Sequence, residues 1–573
     1  MEYLPGWAKQ FSERYYSGAY STFVLHGNVH DLVTSSPARG KPTYLPLNQF
    51  LQTVLFEQRD IVLCYDRGGG ISFATASMQA DFRNAMEGYD SFHGTKYSQG
   101  GLPRNPDGVL TILDNYLRLR LQDKRKIALI VEYAETIVPA GGVGNMPADD
   151  RNALVIFQRW AHNPVFKQSD ITIVLISENI VELNQDIVQH PGVTAIAIPM
   201  PDETERREFL EWHLAESPLP EGSNISTPVL ANLTAGLKRV QLQGLTLYAA
   251  RNRQPLTMAE MATRKKDLIE AEAGGMLEFV QSRWNLSMVA GSISAKQKLV
   301  DAVTAIRMGR SEILPMGYVI CGPVGTGKTF LATCFAGEVG IPAVILKNFR
   351  SMWQGQTEAN LERILALLKA MSPIVVIIDE ADAQLGDRSS SGDSGVNNRV
   401  FAQIAQFMGN TEYRGKVLWF LLTCRPDLLP VDLKRQGRAE EHLGLFYPDS
   451  DEDRIAMLRA MQKKTGTSFE MAQDAEKVFL DHAAPLSGAD IESLLVRAKM
   501  RAVLAGKSTP DASDLHSAIL DFIPASSPSE IELQTLVAVL ECTSRTLLPE
   551  KYRSVDRSEV VRRVTELKML LAR

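Results

Sequence analysis

The stretch from Ile320 to Thr329, Ile-Cys-Gly-Pro-Val-Gly-Thr-Gly-Lys-Thr, restricts what this chain can fold into more than any other segment. Gly322, Gly325 and Gly327 let the backbone curl so that successive N–H groups point inward at an anion, with Pro323, Val324 and Thr326 between them. Lys328 supplies a neutralising charge, and Thr329 places a hydroxyl where a magnesium ion shared with the terminal phosphates would sit. Residues 330–339 read as the helix whose positive end faces those phosphates, and Gly340 closes it. The apolar run Gly317–Cys321 reads as a buried strand in front. Strand, glycine-rich loop and helix in that order predict a P-loop in an α/β protein with a parallel sheet.

A second motif fits the first. Ile374 to Ile378 is an unbroken β-branched run followed by Asp379, Glu380, Ala381 and Asp382, which places carboxylates at the carboxyl end of a buried parallel strand. Asp379 is expected to orient magnesium and Glu380 to polarise the attacking water.

The strand Lys126–Val131 ends in Glu132-Tyr133-Ala134-Glu135, 247 residues before Asp379-Glu380-Ala381-Asp382. The same offset relates Asn152–Asn163 to Arg399–Asn410 and Pro201-Asp202 to Pro448-Asp449. A repeated offset is the mark of internal duplication, so two tandem copies of one α/β module are expected. The first copy lacks the phosphate lysine and hydroxyl. Glu132 and Tyr133 replace Asp379 and Glu380, and a tyrosine near its usual pKa cannot serve as a base at neutral pH. Asp60–Tyr65 leading into Asp66-Arg67-Gly68-Gly69-Gly70 imitates a strand entering a phosphate loop, without the Lys-Thr that would follow.

At 573 residues the chain exceeds one core. The expected parts are a degenerate module with its own helical lid over 1–270, an active α/β module over 271–450, a helical lid over 451–523 and a helical tail over 524–573. A formal net charge of −6 disfavours nucleic acid as partner. Five scattered cysteines without C-x-x-C spacing, and no apolar run of spanning length, point to a cytoplasmic protein without a membrane anchor. No His-Glu-x-x-His occurs, which excludes a fused zinc protease of that type.

With these motifs in view, the chain resembles the AAA+ ATPases, in the clade of valosin-containing protein, katanin and FtsH, from about Gly291 to Leu504 and more faintly from about Tyr20 to Ala250. The resemblance implies ATP and Mg2+ as cofactors, a homo-oligomeric ring, expected to be a hexamer, and a protein substrate. Leu421-Leu422-Thr423-Cys424-Arg425-Pro426-Asp427 matches the family's sensor segment, with Cys424 where asparagine is usual. A thiol is a poor partner for the lytic water, so either hydrolysis is slow or Thr423 takes the sensor role. Arg438 matches the arginine that reaches the neighbouring subunit's nucleotide, an effect of about 10³–10⁵ in rate, while Glu441 stands where a second arginine is usual. Trp353 and Gly355 match the central pore loop, Ser389–Gly395 a second pore loop, and Gly488 and Ala489 the lid-helix start close to the adenosine. Two readings follow. One is an ATP-driven ring that remodels or threads a protein substrate, and the other a nucleotide-gated assembly scaffold with slow turnover that recruits partners through the degenerate module.

Overall fold

The computed structural model describes residues 4–35, 42–142, 144, 146–223, 225–347, 356–385, 394–482, 486–523 and 527–571. Trp353 and Gly355, and residues 389–393 of the second expected pore loop, lie outside the described residues. The chain divides into two units, 1–269 with 353–370 and 270–352 with 371–573.

The first unit contains β1 (Thr22–Gly27), β2 (Leu32–Ser35), β3 (Thr43–Pro46), β4 (Ile61–Asp66), β5 (Gly70–Phe73), β6 (Ile127–Val131), β7 (Ile171–Ser177) and β8 (Val193–Ile198). Its six-stranded sheet runs β5-β4-β6-β7-β1-β8, and β2 and β3 form a separate hairpin. The second unit contains β9 (Leu277–Phe279), β10 (Gly317–Cys321), β11 (Ala343–Leu346), β12 (Ile374–Ile378), β13 (Val417–Thr423) and β14 (Ala439–Gly444), in the order β14-β10-β13-β12-β11-β9. In each sheet only one edge strand, β5 or β9, is antiparallel to its neighbour.

The central strands are largely apolar because helices cover both faces, and the few polar residues, such as Thr172 in β7 and Thr423 at the end of β13, are exceptions to that pattern. β6 and β12 are buried at all five residues. In the first unit Tyr116, Phe157 and Trp160 fill one side of the sheet, while Phe11, Phe23 and Phe50 fill the other. In the second, Phe335 of the helix Lys328–Val339 packs on Phe420 of β13, with ring centroids 4.9 Å apart.

Read from its β8 edge, the first sheet has the strand order of the second, and β1 occupies the place of the P-loop strand β10. Gly27 ends β1 at φ +93° and Gly322 follows β10 at φ +148°. A Cβ on Gly27 would come 2.7 Å from the Ile198 oxygen, and one on Gly322 only 2.0 Å from the Leu445 oxygen. Both glycines mark one close approach to the adjacent edge strand, which a side chain would block. The pair is 295 residues apart, not 247, because the first module spends its surplus on the β2–β3 hairpin and the helix Ala76–His93.

The strand that imitates a P-loop strand in the sequence is therefore the wrong one. β4 and β5 are an antiparallel hairpin, and Asp66 folds back to accept the N–H groups of Gly68 and Gly69 at 2.9 and 2.6 Å. Those donors are consumed by a turn.

Helices Asp451–Thr465, Ala472–Leu480, Gly488–Leu504 and Ala512–Leu520 form the lid of the second module around Leu458, Phe479, Leu494 and Leu515. The tail helices Pro528–Glu541 and Arg557–Leu571 pack together through Leu533, Val537, Val564 and Leu567. Leu547, between them, enters the core of the second module. Among the described residues no helix is long and apolar enough to cross a membrane.

Candidate nucleotide site

In the second module the phosphate-loop residues, Asp379, Glu380 and Thr423 lie at the carboxyl ends of β10, β12 and β13. Gly325 and Gly327 hold φ values of +80° and +85°, the left-handed conformation that turns the loop's N–H groups inward. Lys328 opens the helix Lys328–Val339, so its first N–H groups lack intrahelical acceptors and face the loop. The Lys328 side chain is only 8% exposed. Its ammonium donates to the backbone oxygens of Gly322 at 2.9 Å and Pro323 at 3.0 Å, poised inside the loop. Thr326 Oγ1 donates to the Pro323 oxygen at 2.9 Å, which helps fix the loop's curl.

Thr329 Oγ1 donates to Asp379 Oδ2 at 2.7 Å, and Asp379 Oδ1 accepts the N–H of Glu380 at 2.9 Å. The loop hydroxyl and the strand-end carboxylate are thus already together. Both are hard oxygen donors of the kind Mg2+ takes, and the inward backbone amides suit phosphate oxygens, so the residues fit a magnesium nucleotide. Glu380 is exposed and sits at φ +47°. A non-glycine residue held in that region aims its side chain where regular backbone would not.

The lid reaches the loop as well. Ser487 caps the helix Gly488–Leu504 through a reciprocal bond with Asp490. A Cβ on Gly325 would lie 2.5 Å from Ser487 Oγ and 3.6 Å from the Ala489 Cβ, and one on Gly488 would lie 3.6 Å from the Gly325 oxygen. Gly488 and Ala489 therefore border the loop.

The sensor segment is partly resolved in its chemistry. Thr423 is 1% exposed; its hydroxyl donates to Asp382 Oδ1 at 2.6 Å and accepts the Arg425 N–H at 2.8 Å. A hydroxyl has one proton to give, and this one ties β13 to the Asp-Glu-Ala-Asp turn. Thr423 thus holds the acidic turn in place and has no donor left for a water. Cys424 is partly exposed and carries a free thiol.

Arg438 lies just before β14, whose Ala439 pairs with Gly317 and whose Gly444 pairs with Cys321. Arg438 and the P-loop therefore stand at opposite ends of two adjacent parallel strands, about 16 Å apart along the strand direction. Its guanidinium donates to the Asp432 oxygen at 2.7 Å and rests on Gly409, where a Cβ would come within 3.2 Å of Nε. Burial and the neighbouring Arg435 lower its pKa. Glu441 is paired with Lys298 at 2.5 Å, within its own module.

The first module keeps the shape of this site and reverses its charge. Tyr133 stands where Glu380 does, also in the left-handed region, at φ +52°. A cavity of about 180 Å3 lies at the ends of β1, β6 and β7, and its lining includes Asp31, Glu132, Glu135 and Glu178. Burial and the nearby Asp66 push the Glu132 carboxyl above its ordinary pKa, although Asn48 donates to it. Glu178 is partly offset by Lys238 at 3.6 Å and Arg363 at 3.1 Å. Asp31 is likewise offset by Arg239 at 3.8 Å, which leaves Glu132 and Glu135 as the lining carboxylates without an ion pair among the described residues, so the lining is acidic where the second module has Lys328.

Two contacts of the phosphate loop have no signature in the sequence. The N–H of Val324 donates to Gln534 Oε1 of the first tail helix at 2.9 Å, and the Val324 oxygen accepts the Tyr447 hydroxyl at 2.8 Å.

Comparison with known proteins covers both halves. Residues 1–199 match the model of the AAA+ chaperone N-terminal Rossmann-like domain, and residues 204–274 that of the AAA+ chaperone second helical domain. Residues 318–447 match the ATPase family associated with various cellular activities. The chain is 28% identical over 363 residues to a cell division cycle protein 48 homolog of Archaeoglobus fulgidus, covering 58% of this chain and 49% of that protein. It is 32% identical over 242 residues to the ATP-dependent zinc metalloprotease FtsH 3 of Sphaerobacter thermophilus, covering 41% and 48%. With the peroxisomal ATPase PEX6 of Rattus norvegicus it shares 26% over 373 residues, covering 60% and 37%. The chain thus spans about half or less of the length of these relatives. The family matches follow one another in the order of the two sheets, and the chain belongs to the AAA+ ATPases as a tandem of two modules.

Proposed function

We propose that the second module binds ATP with Mg2+ and hydrolyses it, and that copies of the chain form a ring, a hexamer, which remodels or threads a protein substrate. The observation that carries the nucleotide chemistry is the Thr329–Asp379 contact at 2.7 Å beside the buried Lys328. Lys328 and the loop amides would hold the β- and γ-phosphates, and Thr329 and Asp379 would hold the metal, which supplies neutralisation of the charge developing on those oxygens. Glu380, held exposed by its own backbone conformation, accepts a proton from the attacking water. Thr423 keeps the acidic turn fixed through Asp382 while this happens. Five free thiols suit a reducing cytoplasm.

The position of Arg438 supports the ring reading. A side chain about 16 Å along the strands from its own P-loop does not reach it, and in the ring reading a second copy brings this finger to each site. Relatives of this chain are an ATPase and a cell division cycle protein homolog, and we expect a protein substrate gripped at Trp353 and Gly355. The acidic cavity of the first module favours the scaffold reading at one point, because a site with an acidic lining is free to bind a partner.

Glu380→Gln separates these readings. The amide keeps the shape and loses the basicity, so this variant should bind Mg-ATP, turn it over at least about a hundredfold more slowly and accumulate as assembled rings. Size measurement with ATP and capture of co-purifying chains read the result. Variant chains that stay monomeric at micromolar concentration with ATP bound refute the ring.

A further inference from the structure

The geometry points to the first tail helix, Pro528–Glu541, as a working part of the ATP site, with Gln534 a positioning residue that pre-sets the phosphate loop by accepting the Val324 N–H. The inference rests on the ATP-site reading of the second module.

Gln534 is 7% exposed, so its side-chain oxygen is committed inside the protein. It takes the N–H of the residue at the apex of the loop, immediately before Gly325, whose φ of +80° begins the inward turn. The other side of the same residue is held by the Tyr447 hydroxyl. Val324 is thus fixed at both its N–H and its oxygen by groups that follow β14 in sequence. A polar group held this way resists rotation, because turning it would break two bonds and leave a buried amide oxygen on Gln534 unpaired.

The far end of the same helix is latched to the strand that Arg438 introduces. Glu541 receives the Lys434 ammonium at 2.9 Å and His442 Nδ1 at 3.0 Å. His442 Nε2 faces the oxygens of Ala439 at 3.0 Å and Lys434 at 3.2 Å. Both ring nitrogens therefore face acceptors, an arrangement that suits the imidazolium. Burial works against that charge, but the Glu541 carboxylate and the backbone oxygens outweigh it and hold His442 above its ordinary pKa. One helix thereby spans from the P-loop to the neighbourhood of Arg438, and the second tail helix adds Lys568 at 2.7 Å on Asp427, the last residue of the sensor segment.

A pre-set loop should appear as affinity and not as chemistry. If the binding-competent loop is less populated, the apparent affinity falls by that fraction, whereas the complex once formed has the parent's geometry. Gln534→Leu in the full chain should therefore raise KM for Mg-ATP about 5–30-fold, the value of one hydrogen bond with its partner left orphaned, and keep kcat within about twofold. Gln534→Glu retains an acceptor oxygen at the same reach but loses the amide donor to Glu530 at 3.5 Å, so its KM should rise less than that of Gln534→Leu. Gln534→Thr replaces the leucine variant if leucine is not tolerated, with the same expected rise. Steady-state hydrolysis, calorimetric Mg-ATP binding and the thermal unfolding midpoint are measured together. A Gln534→Leu chain with a lowered midpoint and unchanged KM overturns the proposal, since a purely structural contact behaves so. Equal KM rises in the leucine and glutamate variants overturn it too. A parent that binds no Mg-ATP removes the ATP-site reading and this inference with it.

Discussion

Lys328→Ala abolishes Mg-ATP turnover, by about 10²–10³-fold or more, comparable to deleting one positioned donor at a developing negative charge. The ammonium now sits between the oxygens of Gly322 and Pro323. Without it, the Gly322 oxygen loses its ammonium donor and the Pro323 oxygen keeps only the Thr326 hydroxyl, and the site loses its only buried cation among the described residues of the loop. The first module offers no substitute. Gly68 and Gly69 give their N–H groups to Asp66, and the cavity at the ends of β1, β6 and β7 presents carboxylates. Turnover and nucleotide stoichiometry should therefore fall together in the variant, from one Mg-ATP per parent chain towards none. Turnover close to the parent's would place the chemistry in the first module and refute the reading of its charge.

The features of the second module that were legible in the sequence are those written in consecutive residues. A glycine-rich loop between a strand and a helix, or two carboxylates after a buried strand, dictates its own conformation. Lys328 reaches back into the loop and Thr329 meets Asp379. The duplication was legible where the two copies kept their lengths, at Tyr133 and Glu380, and the shared left-handed backbone at those positions is its structural counterpart. It failed at β1, because the hairpin and helix inserted after it shift the register, and because a loop stripped of lysine and glycines leaves no pattern to read. Gly27 was the surviving clue, one glycine among 40. The role of Thr423 was open in the sequence for another reason. Whether a hydroxyl faces water or Asp382 depends on a neighbour across the fold. Gln534 is the extreme case: a glutamine on an amphipathic helix, 210 residues from the amide it holds, carries no mark of that contact.

Arg438→Ala is expected to leave Mg-ATP affinity within a few-fold of the parent while lowering turnover about a thousandfold, or ~4 kcal/mol of transition-state stabilisation. The argument begins with position. Arg438 precedes β14 at the end of the sheet opposite the P-loop, so it contributes nothing to nucleotide binding in its own chain. Its partners there are modest. One backbone oxygen at 2.7 Å and the Asp432 carboxylate at 3.7 Å hold it, and burial with Arg435 disfavours its charge, so the guanidinium gains by meeting an anion elsewhere. A phosphoryl group in transfer spreads charge over its equatorial oxygens, and a planar, fixed cation from a second copy matches that distribution only in the transition state. Loss of such a contact lowers kcat and leaves ground-state binding nearly untouched. Mixing Arg438→Ala with Lys328→Ala chains extends the test, because interfaces pairing an intact loop with an intact arginine then form in a fraction of rings. Recovery of turnover on mixing requires a site shared between copies. Normal turnover by Arg438→Ala alone would show that each copy completes its own site, and the ring would lose its chemical necessity.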